Sequence, residues 1–120
     1  MTGVLVDTCG WVAIVDARIN IDLALEDKIG PVELKVTEAV ISELEALTQR
    51  ESKTLLLDLL QSRAEIVSGD GEHTDDEILD LATSNGWPVL TVDKELKSRL
   101  HHANASVIEI HGFKALRLIE

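Results

Sequence analysis

With 120 residues, 45% of them hydrophobic, the chain carries enough apolar material for one core and reads as a single domain, 1–120. Its 22 acidic against 11 basic side chains give a net charge of −11, the opposite of the basic footprint of a nucleic-acid binder, so composition alone votes against RNA. A lone cysteine, Cys9, excludes an internal disulfide and a cysteine-built zinc site; with no secretory leader and no run of spanning length, the expectation is a soluble cytoplasmic protein with no membrane partner.

Val4-Leu5-Val6 predicts a short buried strand that delivers Asp7 at its C-terminal end, followed by Thr8-Cys9-Gly10 and a helix through Trp11-Val12-Ala13-Ile14-Val15. Residues 20–29 set Ile21, Leu25 and Ile29 on one helical stripe, which Gly30-Pro31 stops. Val32 to Val36 is a second strand. Thr37 is the expected N-cap of a helix running to Leu47. Counted from Val36 at 100° per residue, Val40, Leu44 and Leu47 fall at about 40°, 80° and 20°, and Glu43 joins them at about 340°. A glutamate on a helix usually faces water; the wheel makes Glu43 an exception. Ser52 to Arg63 predicts a further amphipathic helix, Ala64 to Val67 a third strand, and 68–73 a loop.

His73-Thr74-Asp75-Asp76-Glu77-Ile78-Leu79-Asp80-Leu81-Ala82 predicts a helix of about three turns. Thr74 and Glu77 have the spacing of a capping box, which would start the helix at Asp75, and Gly86 would end it. With Ile78 at zero, Ala82 lies at about 40° and Asp75 at about 60°, inside the buried stripe, whereas Asp76, Glu77 and Asp80 lie at about 160°, 260° and 200°, toward water. Val89-Leu90-Thr91-Val92 is an apolar strand ending on Asp93. Lys94 to His102 is a helix with Leu96 and Leu100 inward, Val107 to Ile110 a strand, and Phe113 to Glu120 an edge strand. Strands alternating with helices predict an α/β fold with a mostly parallel sheet.

Four carboxylates stand out by position: Asp7 and Asp93 at strand ends, Glu43 and Asp75 on inward helix faces. Ligands of open α/β sheets bind outside the carboxyl ends of the strands. Two such charges about 5 Å apart repel by about 3 kcal/mol at an effective dielectric near 20, so four together call for a cation. A donor set of oxygens alone selects Mg²⁺ or Mn²⁺ over zinc. Each acid also has an ordinary explanation: Asp7 as a turn residue, Asp75 as a helix-start acid, Asp93 as an N-cap. Three local coincidences plus an inward Glu43 are less probable together than one metal site. Cys9 reads as a small buried residue, Trp11 and Trp87 as packing, and His73, His101, His102 and His111 as surface. Charge is uneven along the chain. Residues 64–80 hold seven acids and no base, and 94–120 hold five bases and three acids.

Val6-Asp7-Thr8, Ile41-Ser42-Glu43-Leu44, Thr74-Asp75-Asp76-Glu77-Ile78-Leu79-Asp80-Leu81-Ala82 and Thr91-Val92-Asp93 resemble, in order and spacing, the four acidic motifs of PIN-domain ribonucleases. Asp75 to Leu79, and the ending Val107-Ile108-Glu109-Ile110 before Leu116-Arg117-Leu118, are most similar to the archaeal relatives of the eukaryotic small-subunit ribosome-processing nuclease; VapC toxins share the four acids. The resemblance implies a three-layer α/β/α sandwich and cleavage of RNA with Mg²⁺ or Mn²⁺. It implies Asp7, Glu43, Asp75 and Asp93 as catalytic metal ligands and Thr8 and Thr91 as nearby hydroxyls touching substrate. Lys97 and Arg99, in the mildly basic tail, are the expected RNA contacts. A homodimer and an antitoxin or ribosome-assembly partner are the further partner expectations. Two other classes share parts of this pattern. A signalling receiver needs an acidic pair at the first strand and an acceptor aspartate on the third, and this chain has a single Asp7 and ends its third strand on Ser68. A catalytically idle RNA- or protein-binding module differs from a nuclease only in metal-dependent activity.

Overall fold

The computed structural model describes residues 2–51, 64–111 and 115–120. In chain order these form β1 (Thr2–Val6), α1 (Thr8–Asp16), α2 (Ile21–Ile29), β2 (Val32–Thr37), α3 (Glu38–Glu51), β3 (Ala64–Val67), α4 (Thr74–Asn85), β4 (Val89–Leu90), α5 (Lys94–His102), β5 (Val107–His111) and β6 (Ala115–Ile119). The helix expected over 52–63 and Phe113 of the expected edge strand lie outside the described residues.

The strands form one sheet in the order β3-β2-β1-β4-β5-β6. All neighbours are parallel except β5 and β6, whose register pairs Glu109 with Arg117. The chain lays β1, β2 and β3 outward in one direction, then returns across the sheet to lay β4 and β5 in the other. Because crossovers between parallel strands are right-handed, this reversal puts α1 to α3 on one face and α4 and α5 on the other. The result is the three-layer α/β/α sandwich. It also opens a crevice at the C-terminal ends of β1 and β4, where the two directions part.

The central strands are apolar because both faces are covered. Val4, Leu5, Val6, Val89, Leu90, Val107 and Ile108 are buried, with Trp11 and Ile14 of α1, Leu25 of α2, Val40 and Leu44 of α3, Ile78 of α4, and Leu96 and Leu100 of α5 around them. Lys35 breaks the pattern. It is buried on β2, its Nζ donating to Glu65 at 2.8 Å and Glu33 at 3.1 Å, and it lies 5.3 Å from the centre of the Trp87 ring. Trp87 is thus a packing residue with a cation on its face. Among the described residues, no helix is long and apolar enough to cross a membrane.

The ends of α4 match expectation at one side only. Gly86 ends the helix in the left-handed conformation, φ 70°, where a glycine carries no Cβ penalty. At the start, His73 is the N-cap with no side-chain bond, and the helix begins at Thr74. The capping box does not form. Thr74 and Glu77 have other partners: the Thr74 hydroxyl donates to Glu43 at 3.0 Å, and Glu77 Oε2 accepts the N–H of Gly69 at 3.1 Å.

Candidate active site

Asp7 leaves β1 at the crevice and is 5% exposed. Its N–H donates to Leu90 O, which ties it to the end of β4. Oδ1 caps α1 by accepting the N–H of Gly10 at 2.8 Å, and Oδ2 accepts the Thr91 hydroxyl at 2.5 Å. Burial pushes this carboxyl above its ordinary pKa; the Thr91, Gly10 and Cys9 hydrogen bonds pull the other way, and the charge of Asp75 adds to the rise. Cys9 is half-buried rather than a core residue. Its Sγ lies 3.2 and 3.3 Å from the two Asp7 oxygens and 3.5 Å from the Thr91 hydroxyl, and burial with the Asp7 charge raises its pKa.

Thr91, expected near the substrate, is fully buried. Its hydroxyl donates to Asp7 and accepts the N–H of Asp93 at 3.1 Å, joining the ends of β1 and β4. Asp93 is exposed and serves as the N-cap of α5, Oδ1 accepting the N–H groups of Glu95 at 2.8 Å and Leu96 at 3.1 Å. The ordinary reading of Asp93 as a cap is therefore true of its backbone role. So is a capping role for Asp7.

Glu43 stands on α3 facing the crevice, at an exposed rim rather than in the core side the wheel gave it. Both oxygens are held: Oε1 accepts the Thr8 hydroxyl at 2.6 Å, and Oε2 accepts the Thr74 hydroxyl at 3.0 Å. Thr8 therefore orients a carboxylate instead of pointing freely at a solute. Thr74 was missed as a site residue, because its T-x-x-E spacing has a local explanation.

Asp75 and Asp76 diverge. Asp75, half-buried in the first turn of α4, has its pKa raised by burial first, then by the charge of Asp93, with Glu43 and Glu95 adding and Arg99 opposing. Asp76 accepts a hydrogen bond from Arg99 Nη2 at 2.7 Å, which lowers its pKa. The wheel sent Asp76 to water; it is instead engaged by α5. Arg99, expected on RNA, is thus paired with Asp76. Lys97, expected there too, lies 3.3 Å from Glu109 Oε1, while Arg117 Nη2 donates to the other Glu109 oxygen at 2.8 Å. Neither Lys97 nor Arg99 lines the carboxylate cavity.

That cavity has a volume of about 640 Å³, and Asp7, Glu43, Asp75 and Asp93 all line it. Asp16, at the end of α1, adds a fifth carboxylate to the lining, and the rest of the wall is small or apolar: Val12, Ala13, Leu47, Val92, with Cys9, Thr8 and Thr74 between. Among the described residues, no three His, Cys, Asp or Glu side chains converge as a formed metal cluster. Five carboxylates spread around a cavity is the arrangement their mutual repulsion favours. The helix N-termini of α1, α4 and α5 open on the same side, and their N–H groups make the anionic ends tolerable.

A family model described as a PIN-like domain matches residues 4–112. Among solved structures, the chain is similar to the PIN domain endonuclease Utp24, with a TM-score of 0.81 and 22% identity, covering 97% of this chain and 90% of that one. It is also similar to PAE2754 from Pyrobaculum aerophilum, with a TM-score of 0.59 and 16% identity, covering 82% and 84%. At these identities the likeness is one of fold. No curated protein matches the chain in sequence.

Proposed function

The chain belongs to the PIN-like domain family, and we propose that it acts as an endoribonuclease dependent on Mg²⁺ or Mn²⁺, cutting single-stranded or looped RNA. The observation that carries this reading is the assembly of Asp7, Glu43, Asp75 and Asp93, distant in sequence, on one cavity at the parting of the sheet. The donor set fits a hard divalent cation: every candidate ligand is a carboxylate oxygen, and Asp75 has its pKa raised in part by its acidic neighbours, repulsion that a cation would relieve. Asp7, Asp75 and Asp93 would hold it, with Glu43 direct or through water. Bound there, such an ion supplies Lewis acidity toward water and phosphoryl oxygen.

The chain's own residues do the rest. Thr91 fixes the Asp7 carboxylate from beneath, and the Thr8 and Thr74 hydroxyls fix Glu43 from both sides, so neither acid reorganises when substrate arrives. Val12, Ala13, Leu47 and Val92 give the phosphate's neighbours an apolar wall and limit stray water. With a net charge of −11, the protein attracts no polyanion at long range, so its affinity for RNA must come from short-range contacts and divalent ions.

Cleavage of a labelled RNA in Mg²⁺ or Mn²⁺, with analysis of the ends, tests this reading. Water as nucleophile gives 5′-phosphate and 3′-hydroxyl ends, and chelator abolishes cutting. Cyclic 2′,3′-phosphate ends, or full activity in chelator, would refute the mechanism. We place the substrate among ribosomal RNA precursors, on the motif resemblance through Asp75 to Leu79. Growth arrest on expression, relieved by a small co-purifying protein, would move the chain to the toxin class instead.

A further inference from the structure

A second groove of about 370 Å³ is lined by Leu79 of α4 and by Ser98, Arg99, His102 and Ala103 along and just past α5. Arg99 connects it to the carboxylate cavity. Its charge acts on Asp75 in the cavity, while its side chain lines the groove and its guanidinium donates to Asp76 at 2.7 Å. The pair is open to solvent, with 39% of the Arg99 side chain and 34% of the Asp76 side chain exposed, so it exchanges readily with a competing anion. Lys97 and Arg117 are both held by Glu109, and Lys35 is buried between Glu33 and Glu65. Among these bases, Arg99 is the one whose charge reaches a cavity acid and whose side chain also lines the groove. Asp76 meets the guanidinium through a single oxygen, Oδ1, and a phosphodiester oxygen can make the same charge-assisted bond.

We infer that Asp76 stands in for a phosphate on Arg99 in the substrate-free chain, and that an RNA strand leaving the carboxylate cavity displaces it and continues along the α4–α5 groove. The following nucleotide then lies against Leu79 and the edge of His102, whose Nδ1 is fixed on Ser98 O at 2.8 Å. A strand already anchored at the cavity meets Arg99 at high local concentration, whereas a free polyanion must compete with Asp76 unaided. The device rests on the ribonuclease reading of the cavity, and it gives a strongly acidic protein a basic contact that opens only to an anchored strand.

The test is fluorescence anisotropy with a labelled single-stranded oligoribonucleotide in Ca²⁺, across a range of salt, with folding of each variant checked by thermal melting. Asp76→Asn should tighten binding about 3- to 10-fold and steepen the salt slope by about 0.7, the increment for one added phosphate contact on a single strand. Arg99→Ala should weaken binding, and the gain from Asp76→Asn should vanish in the double variant. Ser98→Glu, which puts an acid in the groove, should weaken it several-fold. An unchanged affinity in Asp76→Asn overturns the inference, and so does an equal gain with Arg99 already removed, which would be the effect of net charge alone. A chain that cleaves RNA in Mn²⁺ but ignores Asp76 loses this device and keeps its nuclease reading; one that neither binds nor cleaves RNA in any variant loses both.

Discussion

The hydroxyl of Thr74 donates to Glu43 Oε2 across 3.0 Å, so the first residue of α4 holds a carboxylate of α3. These helices lie on opposite faces of the sheet, and the bond links them at the wall of the crevice. Thr8 meets the other oxygen at 2.6 Å. Glu43, exposed and on a long side chain, would otherwise sample many rotamers, and each hydroxyl removes some of that freedom.

Thr74→Ala should therefore lower kcat about tenfold with little change in KM, and Thr74→Ser should restore most of the loss. Stability should shift by no more than about 1 kcal/mol, the usual net worth of one hydrogen bond. Steady-state kinetics with thermal melting on the same preparations checks this. Equal defects in the Ala and Ser variants would show that the methyl group, not the hydroxyl, matters.

The sheet was legible from β1 to the edge strand β6 because its strands are short, largely apolar runs, most of them bounded by glycine, proline or a carboxylate, and the helices between them keep a clear stripe. Asp7, Glu43, Asp75 and Asp93 stood out in the sequence because two fall at strand ends and two on inward wheel positions, although Glu43 sits at an exposed rim and Asp16, which also lines the cavity, carries no such positional signal. What escaped is what depends on partners distant in sequence. Thr74 and Glu77 satisfy the local pattern of a capping box, yet Glu43 and Gly69 claim them. Asp76 lies on the outward side of its wheel, but α5 packs beside it and supplies Arg99. Thr91 and Lys35 sit in apolar strands where a single sequence gives no sign that a carboxylate waits across the fold.

Asp75→Asn should reduce cleavage by at least 100-fold, and Asp76→Asn should leave it within a few-fold of wild type or raise it. Only the first carboxylate lines the cavity; the second is turned to Arg99. Parallel assays on folded variants decide, and the reverse ranking would exchange their roles.

Asp7 and Asp75 both have folded pKa values above the ordinary 3.8. The folded chain thus binds these protons more tightly than the unfolded chain, and their contribution to stability is lost as pH rises from 3.8 through the raised values. At neutral pH and without divalent ions, Asp75→Asn should melt a few degrees higher than wild type, since interactions among partly exposed charges amount to about 1 kcal/mol or less. Adding Mn²⁺ should reverse the order, because an ion bound at 100 times its Kd stabilises the intact site by about 2.7 kcal/mol. Melting curves with chelator and with Mn²⁺ test both halves. A lower melting point for Asp75→Asn in chelator would show that its carboxylate stabilises the fold.

Thr91→Val separates the buried hydroxyl from the carboxylate it serves. The substitution keeps the volume of the side chain but removes the donor to Asp7 Oδ2 and the acceptor of the Asp93 N–H. Leaving these groups unsatisfied should cost about 1–3 kcal/mol of stability. It should also raise the Asp7 pKa further, because the Thr91 bond is the largest of the forces that hold it down. A carboxylate protonated more easily is a poorer cation ligand. Calorimetric titration with Mn²⁺ should accordingly show weakened binding in Thr91→Val, most of it recovered at higher pH, and a large loss at every pH in Asp7→Asn. Recovery with pH in the first variant and none in the second is the signature of a hydroxyl that acts through Asp7. Mn²⁺ binding equal to wild type in Asp7→Asn would remove Asp7 from the ligand set, and with it the role of Thr91.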